Sequence, residues 1–230
     1  MRDIYESRKM KRRRPPRFEL IAGVLCLDFV NTLDDRFSGE PKELLKHYVD
    51  LARFGEDTGI LPTERVDHLF ELSYTAPETA QRALEAAIEL REVIFVVVWA
   101  LLEKKPVPAT ALILLNQYVQ DAAQHLNLIQ TGSVQRDSQF EWRFDDAPNN
   151  MEAPLWPIAH SAAELLASNQ TQFIRACDSK ACQWLFLDTS KSHRRRWCDM
   201  TTCGNRAKVL RFYKRKRKAG LAKNSGAAEK

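Results

Sequence analysis

Four cysteines near one end of this 230-residue chain fall in two pairs, Cys177 with Cys182 and Cys198 with Cys203. Each pair is C-x4-C, and fifteen residues separate them. Thiolates are soft ligands, and two short pairs flanking a turn-forming insert supply the tetrahedral set that one zinc ion takes. Four thiolates close the shell, which is the pattern of a structural zinc; a catalytic zinc keeps one position open. His193 lies within the insert and is the alternative ligand, although its Ser and Arg neighbours equally suit a solvated ring. Four packed core thiols are the other reading of the same residues. Cys26 sits apart, in the apolar run LCLDFV, and reads as a core thiol. The histidines at 47, 68, 125 and 160 show no HExxH spacing, and the sequence has no nucleophile elbow or phosphate loop. The chain therefore reads as a non-enzyme with one structural Zn2+.

The residues after the last cysteine give such a metal a purpose. The run RAKVLRFYKRKRK is helical in pattern. At about 100° per residue, Lys208, Arg211, Lys214, Arg215 and Lys218 share an arc of about 120°. Val209, Leu210, Phe212 and Tyr213 fall on the other side, interrupted by Arg206, Lys216 and Arg217. That side is expected to pack on the zinc centre only near its start. Gly204 allows a tight approach, and Asn205 is the expected N-cap. Arg194, Arg195 and Arg196 in the insert extend the positive surface to which Arg206 also belongs. Trp197 either packs on the insert or stacks on a base. A metal that fixes the start of this helix holds its cations in place, and a phosphate backbone rewards fixed cations through counterion release.

The charge distribution agrees. Residues 1–17 hold eight Lys or Arg against two acids, and residues 191–230 hold fourteen against two. Residues 18–190 hold thirteen against twenty-six, so two cationic ends flank an acidic body. Such ends suit a polyanion, solubilising tails being the alternative. Residues 1–17 read as a flexible basic arm and 220–230 as a disordered tail. No secretory signal is visible, and the longest apolar run, 93–102, is too short to span a bilayer. A cytoplasmic protein without a membrane partner is expected, and thiols there stay reduced.

The body, 18–175, reads as mostly helical. Residues 25–35 fit either a short strand or a helix start. Helical spacing predicts helices over 41–59, 62–73, 77–106, 108–132 and 152–177, with the third apolar all round in its second half and hence central. Phe140, Trp142 and Phe144 alternate as one arm of a small hairpin. In the insert, QWLFLDTSKSHRRRW reads strand, turn, strand, a hairpin returning the second cysteine pair to the first. A finger over 176–219 is too short to bury much core, so the metal is expected to be its main source of stability. The fold class is thus mainly α: a helical N-terminal domain with a small β-hairpin, then a treble-clef-like four-cysteine finger of β-hairpin and basic helix. Asp28 and Asn31, with Asp34, either line a ligand pocket beside the long helices or serve as caps and turns.

Cys203-Gly204-Asn205-Arg206 is the tetrapeptide for which the CGNR zinc-finger family is named, and this chain resembles that family there and in FLDTSKSHRRRWC upstream. LDFVNTLDDR, 27–36, resembles the opening of the ABATE domain that precedes this finger. The resemblance implies a bacterial, stress-induced transcription regulator. It also implies zinc on Cys177, Cys182, Cys198 and Cys203, and DNA binding by the finger. The basic arm at 1–17 departs from the family pattern. The helical body is expected to sense a small-molecule effector or to form a homodimer, since one short finger reads few base pairs. An RNA- or ribosome-binding zinc protein, whose cations read A-form shape, is the alternative.

Overall fold

The computed structural model describes residues 17–131, 139–180 and 182–225, and the side chains within these except those of Lys214 and 217–225. Most of the expected basic arm therefore lies outside the described residues. Arg17, its last residue, is anchored: its N–H donates to Asp57 Oδ2 at 2.6 Å and its guanidinium pairs with Asp50.

The segment LCLDFV is a helix, α1 (Leu25–Val30). A two-residue ladder follows, β1 (Leu33–Asp34) against β2 (Lys42–Glu43), antiparallel. Then come α2 (Tyr48–Thr58), α3 (Thr63–Thr75), α4 (Pro77–Leu102) and α5 (Ala109–Gln124). Pro77 stands in the first turn of α4, where its missing N–H costs nothing. Ala83, Leu84, Ala87, Leu90, Ile94, Val97 and Val98 recur every three or four residues and form the buried stripe of α4. This helix is central, packing on α1, α2, α3 and α5. Its second half is not buried all round, as its composition predicted. Val96 and Leu101 reach solvent.

Most of the predicted helices run shorter: that over 41–59 starts at Tyr48, Lys42–Glu43 being spent on the β1–β2 ladder, and that over 77–106 stops at Leu102. Helix α5 ends at Gln124, and the apolar alternation of Leu126 and Leu128 makes a strand instead, β3 (Leu126–Thr131). It pairs antiparallel with β4 (Gln139–Phe144), setting Leu126 opposite Phe144 and Leu128 opposite Trp142. The last body helix, α6 (Leu155–Ala167), stops before Ser168, whose hydroxyl accepts the Gln170 N–H and opens a 3-10 turn (Asn169–Phe173). The chain then enters β5 (Ile174–Ala176).

One charged group is built into the core. Arg91, 2 % exposed, donates twice to Glu43 at 2.6 and 2.7 Å and once to Glu92 at 2.9 Å. Its fork also reaches the Thr32 hydroxyl at 3.3 Å. This ties α4 to the β1–β2 ladder through a bidentate pair. Truncating one partner strands the other. Arg91→Ala is expected to cost about 3 kcal/mol in denaturant unfolding, the low end for a broken buried pair because Glu43 stays partly solvated. Glu43→Ala added to it should cost much less than it does alone.

Candidate metal centre and cationic helix

The four sulfur atoms of Cys177, Cys182, Cys198 and Cys203 all lie within 4.8 Å of one another. Cys182 and Cys198 stand 3.5 Å apart, Cys198 and Cys203 3.8 Å. A tetrahedron with zinc–sulfur arms of about 2.3 Å has edges of about 3.8 Å, so the donor set fits one zinc ion. Cys177, Cys198 and Cys203 are buried, and Cys182 is partly exposed. Among these crowded thiols Cys177 ionises first, because Cys182 and Cys198 donate hydrogen bonds that hold its pKa far below the ordinary value. Cys26 stays outside, fully buried, its thiol pushed up to about 12 by burial. His193 is not a ligand: its ring stacks on Phe173 at 3.9 Å, with Nδ1 2.9 Å from the Asp188 carbonyl.

The local architecture differs from the predicted one. The hairpin is formed by β5 and β6 (Leu185–Leu187), paired antiparallel, with Ile174 opposite Leu187 and Ala176 opposite Leu185. Cys177 and Cys182 therefore sit in the hairpin's own turn. There the Cys177 N–H donates to the Trp184 carbonyl at 2.9 Å, and the Cys182 N–H to the Ser179 carbonyl at 2.9 Å. The predicted returning strand at 194–197 is an irregular loop. Its polar, cationic residues have no apolar face to bury, and the Asp188 carboxylate organises it instead. That group accepts from the N–H and hydroxyl of Ser190 at 3.0 and 2.6 Å and from the Arg195 N–H at 2.8 Å. Burial alone would raise its pKa, but these donors outweigh burial and hold it below the usual carboxylate range. The loop delivers Cys198 to the centre.

A wide turn (Met200–Gly204) carries Cys203. Asp199 caps it, accepting from the Thr202 N–H at 2.7 Å. At Gly204 a Cβ would stand 2.8 Å from the Met200 sulfur, so a larger residue there would displace that exposed side chain. Asn205 is not the cap. It is already helical, and its side-chain amide donates back to the Thr201 carbonyl at 3.0 Å. From it runs the cationic helix α7 (Asn205–Ser225), so the expected disordered tail from 220 is helical through Ser225 and beyond that lies outside the described residues.

The finger is not the small free-standing module that its length predicts. Strand β6 is zipped onto the start of the body. Asn31 donates to the Leu185 carbonyl and accepts from the Leu185 N–H, both at 2.9 Å. The Leu187 N–H donates to the Ala22 carbonyl at 2.8 Å, and the Trp184 indole to Asp34 Oδ1 at 2.7 Å. Leu185, Phe186 and Leu187 join the body's hydrophobic core, so burial as well as metal stabilises this segment. Asp28 and Asn31 are consequently not a ligand pocket. Asp28 is buried and accepts the Ala22 N–H at 2.9 Å, while Asn31 spends its amide on Leu185. The cleft that Asn31 helps to line with Arg36, Phe95 and Trp184 offers only about 10 Å³, room for about one water.

Of the predicted nucleic-acid residues, Arg194, Arg196, Arg206, Lys208, Arg211 and Arg215 reach solvent. The side chains of Lys214 and Lys218 lie outside the described residues. Arg195 has another role: it bonds the carbonyls of Trp197 and Cys198 and lies 4.6 Å over the Phe186 ring, bracing the loop beside the metal centre. Arg196 pairs with Asp178, and its guanidinium and that of Arg211 lie 5.1 and 5.6 Å from the Trp197 ring. Trp197 thus joins the loop to α7. Val209, Leu210, Phe212 and Tyr213 are all exposed, so the apolar side of α7 does not pack on the metal centre near its start as expected. Sequence reasoning missed Asp188 and Asp199; each lies close to a cysteine pair, a spacing that could have flagged them.

Residues 23–169 match the ABATE family, described as "Putative stress-induced transcription regulator", and residues 174–216 match the CGNR zinc finger. Both families are regulatory or metal-binding rather than enzymatic by description. No curated protein matches the chain. No helix among the described residues is long and apolar enough to cross a membrane.

Two measurements check the centre. Metal analysis of the purified chain should find one zinc, lost on Cys198→Ser or Cys203→Ser. Asn31→Ala leaves the N–H and carbonyl of Leu185 buried without partners and should lower unfolding stability by about 2–3 kcal/mol, with the zinc retained.

Proposed function

Because the chain belongs to the ABATE family and ends in a CGNR zinc finger, we propose that it is a DNA-binding transcriptional regulator of bacterial cytoplasm, dependent on one structural zinc. The observation that carries this reading is the junction of metal centre and helix. Cys203 lies two residues before α7, and the helix begins under the constraint of four converging sulfurs. A cation held in place loses less freedom on meeting a phosphate than one on a free tail. Thiolate ligands suit a reducing compartment. The acidic body is repelled by a polyanion, which leaves the finger to make the contact. Effector sensing remains a role for the body, at a surface other than Asp28 and Asn31.

The exposed Phe212 and Tyr213, interleaved with cations, favour a second reading, since single-stranded RNA and loops are held by stacking on such rings. Competition between duplex DNA and folded RNA at fixed salt separates the two. On duplex DNA, about five neutralised phosphates give a log–log salt slope of about −4.5. Lys208→Ala and Arg211→Ala should each reduce the slope by about 1 and weaken binding to every sequence alike. Tighter binding to RNA, lost on Phe212→Ala, would overturn the DNA reading. Chelation of the zinc should abolish binding while leaving most of the helical circular dichroism.

A further inference from the structure

The β3–β4 hairpin has no structural reason to look as it does in an isolated chain. Directly opposed residues share a face, so Leu126, Leu128 and Gln130 of β3 lie with Phe144, Trp142 and Phe140 of β4 on one side of the ribbon. At its root that face belongs to the body. Phe144 is partly buried and meets the His160 ring edge-on at 5.8 Å. Further out it leaves the body: Leu128 is 56 % exposed, Phe140 62 % and Trp142 58 %. Beyond the root, the two strands pack chiefly on each other. A two-stranded ribbon on its own is marginal in water; it needs a further strand or a packed face.

We propose that this hairpin is a homodimer interface, the outer face of one copy closing on the same face of a second around a two-fold axis. Three observations choose a second copy over other occupants. Among the described residues the face carries no charge: they are aliphatic, aromatic or amide, so two copies meet there without repulsion. The other exposed apolar stripe, on α7, is bordered by the exposed Arg206 and Lys216, and two such stripes would bring like charges together. Leu128, Phe140 and Trp142 present about 400 Å² of mostly apolar surface per copy, about half of what each partner buries in a standard interface, so they supply its centre and the flanking polar residues must supply the rim. An isologous contact needs a self-complementary patch, and opposed apolar ladders are self-complementary. A dimer would carry two fingers, although the interface does not depend on what those fingers bind.

Light scattering on the zinc-loaded full chain, without nucleic acid, tests this over a wide concentration range. The wild-type protein should double its mass as concentration rises. Phe140→Glu and Trp142→Lys, each on the outward face, should weaken the dimer at least tenfold with helical signal and zinc content unchanged. Should either variant misfold, hydrogen exchange of wild type decides: amides of 126–131 and 139–144 should slow on dimerisation. A chain monomeric throughout overturns the proposal. So does a dimer indifferent to both variants, or one broken only by Phe212→Glu, which would assign the contact to α7. None of these outcomes touches nucleic-acid binding, which is measured separately.

Discussion

Four sulfur atoms within 4.8 Å of each other are a crowd that only a cation makes comfortable. Thiols at that spacing share protons unevenly, and several thiolates would repel. One zinc removes the conflict by pairing all four with a divalent charge. Three separate pieces of chain meet there: the β5–β6 turn, the loop organised by Asp188, and the turn capped by Asp199. Among the described residues one backbone bond joins two of them, the Asp178 N–H donating to the Arg196 carbonyl at 2.8 Å. Cys203 lies in the turn that leads directly into α7, so a metal held there sits at the root of that helix.

That constraint reaches into the body because the finger is not a separate module. Asn31 and Ala22 bond the three-residue strand β6, Asp34 bonds Trp184 just before it, and Phe186 is fully buried beneath it. Asp34 and Glu43 belong to the same two-stranded ladder, and Glu43 holds Arg91 of α4. A continuous chain of polar contacts thus runs from the central helix to the hairpin that carries two ligands. Displacement of β6 would leave several buried donors and acceptors without partners, at about 1–3 kcal/mol each. The arrangement keeps the centre in register with the body and makes independent swinging of the finger costly.

Much of this was legible in the residues. Paired cysteines announced a closed four-thiolate centre, and spacing announced the amphipathic helices. The errors lie where tertiary context decides. The run 126–131 has helix-compatible residues, and only pairing with 139–144 makes it a strand. WLFL looked like half of a local hairpin with the arginine-rich stretch, but its apolar side chains prefer the body's core and pair upstream with Ile174–Ala176. Arg195 was one of three consecutive arginines in the sequence. Which of them turns inward depends on where the Trp197 and Cys198 carbonyls lie, and no pattern reports that. For Asp28 and Asn31 the sequence left a ligand pocket and a capping role both open; their partners are backbone groups, for Asn31 those of Leu185, 154 positions away.

On the proposed reading that α7 meets a polyanion, its length has an electrostatic consequence. Residues 18–190 hold twice as many acids as bases, and that field would oppose any approach to a polyanion. In physiological salt it decays over about 8 Å. Twenty-one helical residues extend about 31 Å, several times that distance. A short helix would have kept its cations under the influence of the body's carboxylates, where they would be neutralised internally. A long one carries Lys208, Arg211 and Arg215 progressively out of that field while the zinc centre holds its root still. On that reading reach and a fixed root are complementary: the metal would hold the base of a helix whose length carries its cations clear of the body's carboxylates.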